Sequence, residues 1–335
     1  MSGSGFTAFA QKTEAAVLAD SEGYNAWPMI VARGKKVLCA YSRGTKHDPG
    51  EPGMNIYSRF SLDNGRTWSP ERIVSAQPEY GETVVAKGID ENGALLILTR
   101  CFIQNTPYRH FELFRAADDM TLEKIAIIKL PLPPMQITDI HPVPGVGLIA
   151  MWFATGYNAK VRDGAWGLAV SKDNGRTWIQ TIAEKELLPD ELPLEQSMVD
   201  LGNGRFLMLS RLSKEGISVQ FVSSDCGMTW RKQSTNIRDI KSNTPTLHFD
   251  RETGSITCCY YQRGVGTLLR RTASADRIFE HPEEWSAPEI LYHSGCTSDY
   301  DSGNANMTQS DGIQLIIFYE GTAPQTSILM ISKSC

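Results

Sequence analysis

The chain has 335 residues, a net charge of −5 and 41% hydrophobic residues. That hydrophobic share supports a buried core, and the acidic balance without any basic run argues against a nucleic-acid partner. No stretch of about 18 apolar residues occurs, so no membrane insertion is expected. The cysteine count is odd, with seven in all and no C-x-x-C pair. This argues against a disulfide framework or a zinc site and for buried, reduced thiols.

Residues 1–20 are small and polar and read as an N-terminal linker segment, without the apolar region of a signal peptide. One domain is expected over residues 21–335. It reads as short strands bounded by Gly, Asn and Asp. Val31–Tyr41 is a strand, a turn at Gly34 and a strand, and Met54–Phe60 follows. Val84–Ile89 and Ala94–Thr99 flank a turn at Asp90–Gly93, and Phe111–Phe114, Ile125–Leu130, Gly147–Phe153 and Trp166–Val170 continue the pattern. Ala183–Leu194 is the one segment expected to be a short helix. Met198–Leu201 and Phe206–Ser210 form a hairpin about Gly202-Asn-Gly204, and Ile217–Val222 comes next. The last strands are Thr246–Phe249, Ile256–Tyr261, Thr267–Arg271, Ala305–Thr308, Ile313–Tyr319 and Ser327–Ser332.

One phrase, S-x-D-x-G-x-T-W, occurs three times. It reads Ser61-Leu-Asp63-Asn-Gly65-Arg-Thr67-Trp68, then Ser171-Lys-Asp173-Asn-Gly175-Arg-Thr177-Trp178, then Ser223-Ser-Asp225-Cys-Gly227-Met-Thr229-Trp230. The Asp carboxylate can bond backbone N–H groups just ahead of it, and Gly accepts the positive φ that closes a tight turn. The Asp positions are 110 (173 − 63) and 52 (225 − 173) residues apart. Half of 110 is 55, so a worn copy is expected at Asp118 and another, one period past the third, at Asp276. A period of 51–55 residues allows six units in this length. Repeats in that range, with four strands per unit, predict an all-β, six-bladed β-propeller of four-stranded antiparallel blades.

The phrase resembles the Asp box (BNR repeat) of the sialidase, or neuraminidase, superfamily, whose members are six-bladed propellers carrying the box on the rim. Other segments are similar to the catalytic propeller of bacteriophage endosialidases. Tyr24-Asn25-Ala26-Trp27-Pro28 stands where exo-sialidases carry an Arg, and the resemblance implies that Tyr24 and Trp27 line a substrate groove. Aromatic faces suit sugar rings. The loop Tyr41-Ser-Arg43-Gly-Thr-Lys46-His47-Asp48 holds Arg43 and Asp48 as further binding candidates. It also holds His47, implicated in catalysis by the same resemblance and able to exchange a proton near neutrality.

Glu195 and Arg211 are 16 residues apart on the two arms of the hairpin about Gly202, at its same end and facing each other. The resemblance makes Glu195 the catalytic carboxylate. It makes Arg211 and Arg263 the guanidiniums that hold a sialic acid carboxylate, a planar anion that Arg can pair bidentately. The Tyr nucleophile of exo-sialidases is expected at Gly303 and is absent there; Tyr300 lies three residues early.

The resemblance implies hydrolysis of a sialic-acid-type ketosidic bond in an acidic polysaccharide such as polysialic acid. Glu195 and His47 would handle the protons, water would attack directly with inversion, and no metal or organic cofactor would take part. Two rivals are a retaining exo-sialidase using Asp48 and Tyr300, and a non-catalytic, glycan-binding phage receptor head. The resemblance to phage tailspikes implies an extracellular or virion-tail location, and a homotrimer if the protein is a phage tail component.

Overall fold

The computed structural model describes residues 14–103, 106, 108–156, 158–211, 218–241 and 243–334. Residues 1–13 of the expected linker, Ile217 of an expected strand, and Cys335 lie outside the described residues. The linker does not extend to residue 20. Ala16–Ala19 form strand β1, with Leu18 and Ala19 buried.

The rest of the described chain is antiparallel strands joined by turns and loops, with one short helix. One meander is β2 (Tyr24–Arg33), β3 (Lys36–Gly44), β4 (Asn55–Ser61) and β5 (Arg72–Ser75). The next is β6 (Gly81–Ile89), β7 (Leu95–Phe102), β8 (Arg109–Ala116) and β9 (Leu122–Ile128). Then come β10 (Gln136–Val143), β11 (Gly147–Ala154) and β12 (Gly164–Ser171), whose outer edge is shared by β13 (Ile179–Gln180) and β14 (Glu184–Leu187). β15 (Leu194–Gly202), β16 (Arg205–Arg211), β17 (Ser218–Ser223) and β18 (Arg231–Ser234) form a fourth meander. β19 (Thr246–Asp250), β20 (Ser255–Gln262), β21 (Thr267–Ser274) and β22 (Glu289–His293) form a fifth. The last is β23 (Ser302–Ser310), β24 (Ile313–Thr322) and β25 (Gln325–Ser334), to whose free edge β1 adds.

Separate four-stranded sheets were expected throughout, but hydrogen bonding gives sheets of eight, nine, four and four strands. The two large ones arise because single parallel pairs, Tyr24↔Thr326 and Ile140↔Gly88, fuse neighbouring meanders. At the second, Gly88 lets the backbones meet, since a Cβ there would stand 2.2 Å from the Ile140 carbonyl oxygen. The first strands of the meanders neighbour one another in a closed ring, β2–β6–β10–β15–β19–β23 and back to β2. Apolar side chains pack between adjacent meanders: Val37, Cys39 and Tyr41 of β3 lie against Leu315, Ile317 and Tyr319 of β24. Inner strands therefore bury both faces, which is why β7 reads LLIL and β11 reads GLIAMWFA.

The three repeated turns share one set of hydrogen bonds. In the second, Ser171 Oγ accepts from Gly175 N at 2.8 Å and donates to Asp173 Oδ1 at 2.9 Å, while Thr177 N and Oγ1 donate to the same carboxylate. Trp178 Nε1 donates to the Gly175 carbonyl at 3.0 Å. The Thr177 bonds bring the Asp173 pKa down to about 2. The stability this turn contributes is therefore complete above the ordinary Asp range and is lost as pH falls towards about 2. Ser171 is fully buried. Ser171→Ala leaves the Gly175 N–H without its acceptor and is expected to cost about 1–3 kcal/mol in urea unfolding.

The worn copies differ from expectation. At 117–121 a tight turn exists, closed by Ala117 N–H to the Thr121 carbonyl, but Asp119, not Asp118, accepts from Thr121 N and Oγ1. At Asp276 the turn is replaced by the helix α1 (Ala275–Glu280), where Asp276 pairs with Arg205 at 3.0 Å. No helix forms at 183–194; β14, a turn at 189–191 and the first residue of β15 lie in that stretch. The described cysteines are free: Cys39, Cys101, Cys258 and Cys259 are buried and Cys226 and Cys296 half-buried.

Candidate active site

A repeated irregularity in the first strands builds the site. Register shifts occur between Ala26 and Met29 in β2, Val84 and Ala86 in β6, Thr138 and Ile140 in β10, Leu194 and Ser197 in β15, and Gly303 and Asn306 in β23. Four residues within these bulges have positive φ: Trp27 (50°), Asp139 (42°), Glu195 (48°) and Asn304 (44°). Bulges re-aim side chains, and non-glycine residues held at positive φ cluster at functional sites. All four line one cavity, which His47, Arg100, Thr244 and Arg263 also line.

Glu195 is tightly held. Arg211 Nη2 donates to Oε1 at 2.7 Å, and the Thr244 hydroxyl donates to Oε2. Burial pushes its carboxyl pKa up, but the charges of Arg211 and Arg263 and the Thr244 hydroxyl outweigh burial and leave it below the ordinary value. Glu195 is therefore an anion at neutral pH, with 23% of its side chain open to the cavity.

His47 sits in the loop after β3. Glu51 braces that loop by accepting from Thr45 N at 2.9 Å and from the Thr45 hydroxyl. The ring lies 5.1 Å from Trp27 and 5.5 Å from Tyr300, centroid to centroid. Tyr24 and Tyr319 hydroxyls both donate to the Tyr300 carbonyl, at 3.0 and 2.8 Å. With the Tyr24 proton on the Tyr300 carbonyl, His47 Nδ1, 3.0 Å from the Tyr24 oxygen, is the donor of that pair. Burial and the Arg263 charge lower the His47 pKa below its ordinary value, against Asp301, the Tyr300 carbonyl and Glu195.

Arg263 Nε donates to the Ser302 carbonyl at 2.9 Å and Nη2 to Asn304 Oδ1. Nη1 has no partner among the described residues and belongs to a cavity-lining side chain.

The structure brings together Glu195, His47, Arg263 and Trp27, with Arg211 behind Glu195 and buried Tyr24 behind His47. Arg211 does not line the cavity; its partner there is Glu195. Arg43, expected to bind substrate, is turned away. It pairs with Glu71 through both nitrogens, Nη1 at 2.9 Å, donates to Asn25 and lies 4.0 Å over the Tyr57 ring. Asp48 is also outside the lining; its carboxylate faces Gly50 N and Lys46. Tyr300 is 66% exposed, beside His47 rather than within the cavity.

Four residues escaped sequence reading: Asp139, Arg100, Thr244 and Tyr319. A signal existed for two. Asp139 stands 56 residues (195 − 139) before Glu195, one repeat earlier, in the same bulge. Arg43, Arg100, Arg211 and Arg263 are separated by 57, 111 and 52 residues, one, two and one periods, each at the end of a second strand. Thr244 and Tyr319 carry no such pattern.

No protein-family model matches the chain, and no curated protein matches it by sequence. Solved structures do. A protein of unknown function from Dyadobacter fermentans superposes with a TM-score of 0.76 at 16% identity, covering 97% of this chain and 99% of that one. A Hadza microbial sialidase gives 0.69 at 15%, covering 93% of this chain and 66% of the sialidase. Phage phi92 endosialidase gives 0.66 at 10%, covering 96% and 69%. The chain thus spans about two thirds of the length of these two glycosidases. At such identities the likeness speaks to architecture, and the chain has a sialidase-like, all-β fold.

Proposed function

We propose that this protein is a glycosidase that cleaves sialic-acid-type ketosidic bonds inside an acidic polysaccharide, with inversion. The reading is carried by the convergence of Glu195, Arg263, His47 and Trp27 on one cavity. Arg263 offers Nη1 to the sugar carboxylate. Trp27 offers an aromatic surface to the ring. Glu195, ionised, takes a proton from the attacking water, and His47, when protonated, gives one from Nε2 to the leaving oxygen. Arg211 acts through Glu195 and positions it. The Tyr24 and Tyr319 hydroxyls are buried and engaged, and Tyr300 stands outside the cavity, which supports attack by water rather than by a Tyr nucleophile. In this reading each meander is one blade of a six-bladed propeller, with β1 supplying the fourth strand of the last.

Incubation with polysialic acid, followed by sizing, tests the reading: short oligomers are expected early. Release of monomer alone, with retention seen by proton NMR, would instead select the exo-sialidase. Binding on a glycan array without hydrolysis would select a receptor-binding head.

The mechanism also sets a pH profile. Glu195 must be ionised and His47 protonated, and both pKa values lie below their ordinary ones. kcat/KM is therefore expected to peak on the acid side, falling as pH rises through a value below about 6.5 and as it drops below the carboxylate range. A plateau extending above pH 7 would remove His47 as the proton donor.

A further inference from the structure

Away from the candidate active site, one face of β6, β7 and β8 gathers four donor side chains. Glu82 is the register partner of Cys101, and Cys101 of His110. Glu112 follows His110 by two residues in β8 and so shares its face. We propose that Glu82, Cys101, His110 and Glu112 form a binding site for one divalent transition-metal ion of the zinc class. Donor atoms of Cys101, His110 and Glu112 lie within 4.8 Å of one another. His110 Nε2 is 3.3 Å from Glu112 Oε1, and Cys101 Sγ is 3.8 Å from Glu82 Oε1. Ligand bonds of about 2.0–2.3 Å in a tetrahedron place donors about 3.3–3.7 Å apart, a spacing to which the His110–Glu112 and Cys101–Glu82 contacts are already close.

The surroundings suit an ion. All four residues are at least 96% buried, and His110 Nδ1 has no hydrogen-bond partner among the described residues. The carboxylates have the outer partners that hold metal ligands in place. Ser75 Oγ donates to Glu82 at 2.6 Å, and Gln77 Nε2 and Lys124 Nζ donate to Glu112 at 3.2 and 3.1 Å. A thiolate and two carboxylates carry three negative charges, which a divalent ion and Lys124 neutralise. Tyr80 and Tyr108 stack 5.7 Å apart and pack edge-on against the His110 ring, shielding it. A thiol ligates as its thiolate, so the Cys101 proton must leave on uptake. Binding then forms the metal–sulfur bond and releases that proton to solvent, and affinity falls as pH falls. Thr83 and Arg100, the chain neighbours of Glu82 and Cys101, line the active-site cavity. The ion would tie together the strands that carry them.

Cobalt(II) titration of the untagged full chain tests the site. One equivalent is expected to give a thiolate-to-cobalt charge-transfer band, displaced by zinc, and zinc is expected to raise Tm by several degrees. Cys101→Ser should lose the band while Cys296→Ser keeps it, and His110→Gln should lose the zinc-dependent rise in Tm. If the buried variants fail to fold, zinc protection against alkylation in the wild-type chain must map to Cys101. The proposal is overturned by no band in the folded wild-type protein, by a band that survives Cys101→Ser, or by protection that maps to another thiol. Metal bound without the band also overturns it, pointing instead to the exposed group His281, Glu283 and Glu284.

Discussion

Glu195→Gln is expected to bind an acidic glycan like the wild-type protein and to lose turnover by about 10²–10⁴-fold, the range for removing a positioned proton acceptor. The amide keeps the side chain's size and can still accept from Thr244. It cannot take a proton from water. The effect should fall on kcat with KM little changed, because the loss arises in the transition state. The prediction rests on the ionisation of Glu195 inside the cavity, where Arg211 and Arg263 overcome burial. Measured kcat near wild type would remove Glu195 from catalysis, and Asp139 in the same cavity and Asp48 in the loop would be tested next. Arg211→Ala supplies a contrasting signature. It leaves burial less opposed at Glu195, so the acid limb of the pH profile should move to higher pH, even where substrate affinity holds.

Arg263→Ala is expected to weaken binding of an acidic glycan by about 2–5 kcal/mol, the range for truncating one partner of a buried charge pair. Two of its three guanidinium nitrogens are occupied by the Ser302 carbonyl and Asn304, which aim the group rather than neutralise it. The ligand carboxylate would supply a directly hydrogen-bonded countercharge, which these two neutral groups do not. Calorimetry against a carboxyl-reduced form of the same glycan isolates this: the variant should distinguish the two forms far less than the wild-type protein does. Equal losses for both forms would mean that Arg263 supports the cavity wall and not the carboxylate. Arg43→Ala serves as a comparison, since its guanidinium is committed to Glu71 and should leave glycan binding unchanged.

The linear sequence alone specifies the strand grammar and the repeat. The Ser, Asp, Gly, Thr and Trp of each repeated turn satisfy one another within eight residues, so local spacing is enough to specify them. It also determined the pairing of Glu195 with Arg211, because a hairpin folds its two ends together and the contact is local. Where a turn had lost its Gly and Trp the reading slipped, to Asp118 for Asp119 and to a turn at Asp276 where a helix stands. One surviving residue does not specify a conformation. Which of several like residues faces the cavity depends on how distant strands pack. Arg43 and Arg263 occupy equivalent strand ends, yet Glu71, 28 residues away, withdraws the first, while Ser302 and Asn304, about 40 residues away, present the second. The bulges at Trp27, Asp139, Glu195 and Asn304 likewise depend on cross-strand register, and register is set by the packing of whole strands rather than by any local motif. The row Glu82, Cys101, His110 was invisible for the same reason. Its members are 19 and 9 residues apart in the chain and become neighbours only when three strands align.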